Sequence, residues 1–157
     1  MKIKLIYTGK SGKDFLKNGE NYYFKKICKY IPFELIELPD IKNSKNLSVK
    51  EIKSLEGNQL LKKLKPNDFL ILLDEKGKEF TSKSFSEFIQ KQFNAGHQNI
   101  VFIIGGPYGF SEEIYKISHA KVALSRLTFS HQMVRLFFLE QLYRGLTILK
   151  GEPYHHE

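Results

Sequence analysis

Ile100-Val101-Phe102-Ile103-Ile104-Gly105-Gly106-Pro107-Tyr108-Gly109 is an unbroken apolar run that stops on two glycines and a proline. Such a run, with no polar residue at alternate positions, reads as a strand buried on both faces, as inside a parallel sheet. Phe69–Leu73 is a second run of this kind, closed by the turn Asp74-Glu75-Lys76-Gly77. Strands buried on both faces need helices on both sides of the sheet. The segments around these two runs supply them.

Ile3–Tyr7 reads as a strand. Ser11 to about Tyr30 reads as a helix with Phe15, Tyr22, Tyr23 and Ile27 on its apolar side. Phe33–Leu38 is a strand set off by Pro32 and Pro39. Ser48 caps a helix, with Glu51 in capping-box spacing. That helix carries Ile52, Leu55, Leu60, Leu61 and Leu64, and Pro66 ends it. Ser84 to about Asn94 is helical, a short helix opens at Ser111, and Lys121–Leu124 is a last short strand. His131 to Leu149 is a helix that is apolar nearly all round. The alternation predicts one α/β domain over residues 1–157, an open and mostly parallel sheet with helices on both faces. A helix apolar on every side must be covered on every side. The sheet covers one, so a second copy of the chain is expected on the other.

The chain has 157 residues and a net charge of +8. A basic balance favours polyanionic partners such as nucleic acid. The first 78 residues carry 17 basic and 10 acidic side chains, whereas all three arginines, Arg126, Arg135 and Arg144, lie in the second half. Lysine is the generic cation here, so the arginines stand out as candidate specific contacts to phosphate or carboxylate. The single cysteine, Cys28, excludes an internal disulfide and is expected as a buried small side chain on a helix. No run is long enough to span a bilayer, and Met1–Tyr7 is too short and polar for a signal-peptide core. A cytoplasmic location is expected.

Several familiar chemistries are absent. Gly9-Lys10-Ser11-Gly12-Lys13 lacks the spacing of a phosphate-binding P-loop, and no Gly-x-Gly-x-x-Gly follows the first strand. Nothing has zinc-ligand spacing, so no metal is expected, and no hydrolase elbow appears. What remains is a set of three loops after three strands: Leu73–Asp74, Gly105–Gly109 and Leu124–Phe129. In open α/β sheets ligands bind at the carboxyl ends of strands. Gly105-Gly106-Pro107 lets backbone approach a ligand closely, because two residues have no side chain in the way. His131 and Arg135 are one helical turn apart near a helix N-terminus, where the dipole favours anions. An unpaired Arg135 in an apolar helix would be costly, which points to a site or a partner. Arg144 falls on the opposite face, so the two arginines serve one site only across a dimer.

Three strings carry a resemblance: Ile103-Ile104-Gly105-Gly106-Pro107-Tyr108-Gly109, then Leu124 through Arg135, then Glu140-Gln141-Leu142-Tyr143-Arg144 with the Pro153-Tyr154-His155 ending. Together they closely resemble the RlmH family, 23S rRNA pseudouridine N3-methyltransferases of the SPOUT class. Pro32–Glu37 and Glu56-Gly57 extend the match over the whole length. The resemblance implies a C-terminal trefoil knot, a homodimer, and S-adenosylmethionine held by Leu73, Gly105, Leu124, Ser125, Arg126, Leu127, Thr128 and Phe129, largely through backbone groups. It implies 23S rRNA, free or in an assembled ribosome, as partner. The acceptor nitrogen must lose a proton, and His131, Tyr154 and His155 are the candidates to assist, with the choice open. Arg135 and Arg144 are assigned to phosphate or the base edge. Ser130, Gly145 and His156 depart from the family's usual Pro, Ala and Arg or Lys. Two other readings fit less of the sequence: a non-catalytic RNA- or ribosome-binding protein, and a SPOUT methyltransferase acting on another RNA.

Overall fold

The computed structural model describes residues 1–10 and 12–156. Strands β1 (Lys2–Thr8), β2 (Phe33–Leu38), β3 (Asp68–Glu79), β4 (Asn99–Ile104) and β5 (Ala120–Ala123) form one sheet in the order β2-β1-β4-β3-β5. All of these pairings are parallel. The connecting helices are α1 (Asp14–Ile27), α2 (Val49–Leu61), α3 (Ser82–Asn94), α4 (Glu112–Ile117) and α5 (His131–Leu149). The α/β class read from the sequence is the one observed.

Strand side chains alternate between the two faces. Leu5, Ile71, Ile100 and Phe102 pack with Ile27 of α1, Phe85 and Ile89 of α3, and Phe138, Leu139 and Leu142 of α5. Ile6, Leu70, Leu72, Val101 and Ile103 pack on the other face with Leu60 of α2 and with Phe110 and Ile114 around α4. Ile71 and Leu72 are neighbours in sequence, lie in opposite layers and are both fully buried. Burial of each stabilises the fold by roughly 1.5–3 kcal/mol. This is why the two central strands are apolar at every position.

Several local expectations need correction. β3 does not stop at the turn after Leu73. Leu73 and Lys78 both pair with Val122, so the residues between them loop out and the strand rejoins β5. Gly77 makes this fit: a Cβ there would sit 2.6 Å from backbone atoms of Lys121 and Val122. α2 ends at Leu61 rather than Pro66, and single turns carry the chain from Lys62 to Leu64. α3 begins two residues early, because Thr81 is the cap and Ser84 is its partner in a capping box. α1 begins at Asp14; Ser11, read as its start, lies outside the described residues. Phe15 and Tyr22 of α1 are exposed rather than packed, and Cys28 is exposed at the C-cap of that helix.

α5 is covered more fully than expected. It lies across the sheet against both α1 and α3. Two glycines allow the approach: a Cβ at Gly19 would meet Leu136 at 2.8 Å, and one at Gly145 would meet Ile89 at 3.4 Å. One chain therefore covers three sides of α5, and Phe137 remains exposed on the fourth. Among the described residues no helix is long and apolar enough to cross a membrane.

Candidate functional site

The register sets Leu73 of β3 opposite both Ile104, the last residue of β4, and Val122 near the end of β5. Three strand ends thus lie side by side and open into a cavity of about 600 Å³. That is within the usual range for sites that bury a small organic ligand. Leu73, Ile104, Val122, Leu124, Phe129 and Val134 give it apolar walls, the Gly105–Gly109 backbone adds another wall, and Lys53, Asp74, Glu75 and Lys76 add charged groups. Leu73, Gly105, Leu124, Ser125, Leu127, Thr128, Phe129 and His131, all singled out from the sequence, line this one cavity. Arg126 does not line it; its side chain is exposed, with Nε 2.5 Å from a Glu79 carboxylate oxygen.

The glycine-rich loop is a β-turn. The Gly109 N–H donates to the Gly106 carbonyl at 3.1 Å, and Pro107 sits at the second position, which suits its fixed φ. Gly109 has φ +83°, a conformation that glycine adopts without strain. Neither of the first two glycines leaves empty space for a ligand where its side chain would be. A Cβ on Gly105 would lie 3.1 Å from the Phe110 ring, and one on Gly106 would lie 2.4 Å from a carboxylate oxygen of Glu56. Glu56 is buried, with its carboxylate packed against the Gly106 backbone. Burial pushes its carboxyl pKa up, the Gly106 N–H offsets part of the rise, and nearby Asp40 adds to it.

One wall of the cavity is acidic. The Tyr115 hydroxyl donates to Asp74, whose other carboxylate oxygen accepts the Lys76 N–H at 2.9 Å. Burial, then the Asp74 bond, pushes the Tyr115 pKa up to about 12. Tyr115 therefore stays a donor that braces Asp74, and exposed Glu75 adds to the negative potential. Sequence reading missed Lys53 and the Tyr115 brace on Asp74, and it had Asp74 and Lys76 only as part of a strand-end turn and Glu56 only through the Glu56-Gly57 string, since none sits in a chemical motif.

The remaining candidates gather elsewhere. Arg144 donates from Nε to Glu140 at 3.1 Å, and Nη1 lies 3.1 Å from His155 Nδ1. Its guanidinium also stands 4.8 Å from the Tyr154 ring centre. Arginine only donates, so His155 Nδ1 is the acceptor and the ring proton sits on Nε2. The Tyr154 hydroxyl donates to Glu140 at 3.0 Å. Burial, followed by hydroxyl contacts to Tyr23 and Glu140, pushes the Tyr154 pKa up. Arg144, Tyr154 and His155 are thus brought together, but outside the cavity lining of their own chain. Arg135 joins neither group. It is 1% exposed, with Nη1 3.8 Å from Glu20 and its guanidinium 4.0 Å above the Tyr7 ring. Ser130, in place of the usual Pro, caps α5 through its hydroxyl, which accepts the Met133 N–H. Among the described residues, no group of three His, Cys, Asp or Glu side chains could hold a metal ion.

Residues 1–155 match the family described as "Predicted SPOUT methyltransferase". The chain is 57% identical, over its full length and that of the relative, to the ribosomal RNA large subunit methyltransferase H of Flavobacterium johnsoniae. It is 53% identical, again over all of both chains, to the protein of the same name from Parabacteroides distasonis. Among solved structures, a probable methyltransferase from Bordetella pertussis Tohama I aligns with a TM-score of 0.55 at 13% identity, covering 92% of this chain and 95% of that one. At that identity the likeness speaks to the fold alone.

Proposed function

The chain belongs to the SPOUT methyltransferase family, and on that premise we propose that it methylates N3 of a pseudouridine in 23S ribosomal RNA with S-adenosylmethionine as donor. The observation that carries the reading is the strand-end cavity, where candidates scattered from Leu73 to His131 meet. The residues fit such a donor. Leu73, Leu124 and Phe129 offer apolar surface for a flat base, backbone groups of residues 105–109 and 124–129 offer polar recognition, and Asp74 with Glu75 faces a cation. When bound, the donor supplies a methyl carbon made electrophilic by its sulfonium. The protein's share is to hold that carbon in line with the acceptor nitrogen, and positioning alone accounts for much of the rate in such displacements.

His131 is the residue we assign to the acceptor's proton. It lines the cavity at the start of α5. Tyr154 is a poor base with its pKa raised, and the His155 Nδ1 lone pair is engaged by Arg144. Lys53 and Lys76 are placed to meet RNA phosphate at the cavity, and Arg144 to hold phosphate or a base edge. Arg135 is better suited to tying α5 to α1 than to touching RNA.

In this reading the protein is a cytoplasmic homodimer of one domain spanning residues 1–157. Exposed Phe15, Tyr22 and Phe137 supply apolar surface for the dimer contact. Pairing through α5 would set the Arg144, Tyr154 and His155 cluster of one protomer at the cavity of its partner. A knotted C-terminal path is supported by the order of the sheet. β4 enters between β1 and β3, β5 takes the far edge, and the chain then returns past the cavity into α5.

Mass spectrometry of 23S rRNA from a strain lacking the gene tests the assignment. Loss of a methylated-pseudouridine signal, restored by the wild-type gene, is expected. An unchanged signal, together with methyl loss elsewhere in RNA, would move the activity to another substrate.

A further inference from the structure

We propose that the loops leaving β1 and β2 form an RNA-facing rim of the site, where Lys10, Lys13, Lys42 and Lys45 meet phosphates of the nucleotides that flank the methylated base. The inference rests on the reading of the cavity as the place of methyl transfer to RNA.

The sheet order decides where these loops stand. β1 lies between β2 and β4. Tyr7 of β1 is opposite Ile104, the last residue of β4, and Thr8 is opposite Leu38, the last residue of β2. The three strands are parallel, so the chain leaves all of them at the edge where the cavity opens. Two contacts join the loops after β1 and β2. The Gly9 N–H donates to the Leu38 carbonyl at 2.9 Å, and a Cβ on Gly9 would stand 3.1 Å from an Asp40 carboxylate oxygen. A third contact ties them to the site: the side-chain amide of Gln132, next to His131, donates to the Lys10 carbonyl at 3.3 Å. Beyond Lys45 the chain enters α2, where Lys50 and Lys53 are one turn apart and Lys53 lines the cavity. The rim is thus joined to the cavity at both ends, through α5 and through α2.

Its charge is available to a partner. Lys10, Lys13, Lys42, Lys45 and Lys50 are exposed. Among the described residues none of them is in an ion pair. The nearby acids are otherwise engaged: Asp14 and Glu51 lie in the first turns of α1 and α2, where the helix dipole favours negative charge, and Asp40 packs on Gly9. The β3 side of the cavity differs. It mixes Asp74 and Glu75 with Lys76, and Arg126 is paired with Glu79. A polyanion therefore meets less repulsion over β1 and β2, while Asp74 and Glu75 suit a cationic donor. Lysine is a flexible point charge that contacts phosphate without reading sequence. The lysines around Gly9, which lack P-loop spacing for a nucleotide, suit the backbone of an RNA strand.

The test uses the full chain with two double substitutions, Lys10→Ala with Lys13→Ala and Lys42→Ala with Lys45→Ala. Lys13 precedes α1 without a side-chain cap bond, so its loss removes no cap. The control is Lys62→Ala with Lys63→Ala. These lysines are also exposed, but they follow α2 at the opposite edge of the sheet, where the chain turns toward β3. All three variants lose the same charge. The substrate is 23S rRNA or ribosomes from a strain lacking the gene, whichever the wild-type chain methylates. Each rim variant should lose about tenfold in kcat/KM through KM, with kcat at saturating RNA and S-adenosylmethionine affinity by calorimetry unchanged. The slope of log Kd for RNA against log salt should fall by about one for each lysine removed. The control should stay within about twofold of wild type, since salt screens a distant exposed charge. Equal losses in the control and the rim variants would make the lysines a diffuse field and overturn the proposal. Wild-type KM and salt slope in the rim variants would overturn it too. Failure of the wild-type chain to methylate either substrate is a different result, and overturns the RNA reading on which the rim depends.

Discussion

At the scale of single residues, the site separates groups by the role their surroundings permit. Tyr154 and Tyr115 both have raised pKa values and both donate to a carboxylate, so each orients an acid rather than acting as a base. His155 has its tautomer set by Arg144. His131 alone among the sequence-derived proton acceptors lines the cavity. Replacing His131 with Ala should lower kcat on rRNA about a hundredfold while leaving donor affinity within a few-fold, as for loss of a general base. Single-turnover kinetics with calorimetry checks this; an equal loss in donor binding would make His131 a donor contact instead. Arg135 shows how residue type misleads without packing. Its spacing from His131 put both on one helix turn, yet only His131 reaches the cavity. Arg135 turns to Glu20 and Tyr7, where an acidic partner on α1 and an aromatic face offset part of the cost that seemed to demand a ligand.

At the scale of elements, α5 is the organising piece. Its N-terminus supplies His131 and Val134 to the cavity, and its far end supplies Arg144 to the polar cluster. Glycines at its contacts with α1 and α3 set how closely it packs. Gly145 is the one where a side chain fits, since a Cβ would meet Ile89 at an ordinary 3.4 Å. Gly145→Ala should therefore stabilise the protein by about 0.5–1 kcal/mol through helix propensity. A rise in Tm of roughly 1–4 °C is the expected readout. A fall would mean that the added methyl does not fit between α5 and α3. Element boundaries were the least legible feature of the sequence. α3 begins at Ser82 and not at Ser84, because Thr81 caps it and Ser84 answers in the capping box. β3 was cut short because its turn residues looked terminal, when they loop out and the strand resumes.

At the scale of the whole molecule, the cavity and the Arg144 cluster lie apart in one chain, and the proposed dimer joins them. Mixing chains tests this. A His131→Ala chain retains the cluster, and an Arg144→Ala chain retains the cavity. In a mixed dimer one of the two shared sites is intact, so random exchange should restore about one quarter of wild-type activity from two inactive parents. No recovery after verified subunit exchange would place each complete site within one protomer. The sequence by itself determined the α/β class, the parallel central strands, and the three loops that line the cavity. Those follow from local periodicity and from unbroken apolar runs, which nearest neighbours in the chain control. Only the tertiary structure decided that Glu56 lies beneath the glycine turn, that Arg135 has Glu20, and that α1 and α3 flank α5. Each of these depends on contacts between segments far apart in the chain. Hydrophobic pattern says that a face is buried, but not what charge or backbone group it meets there.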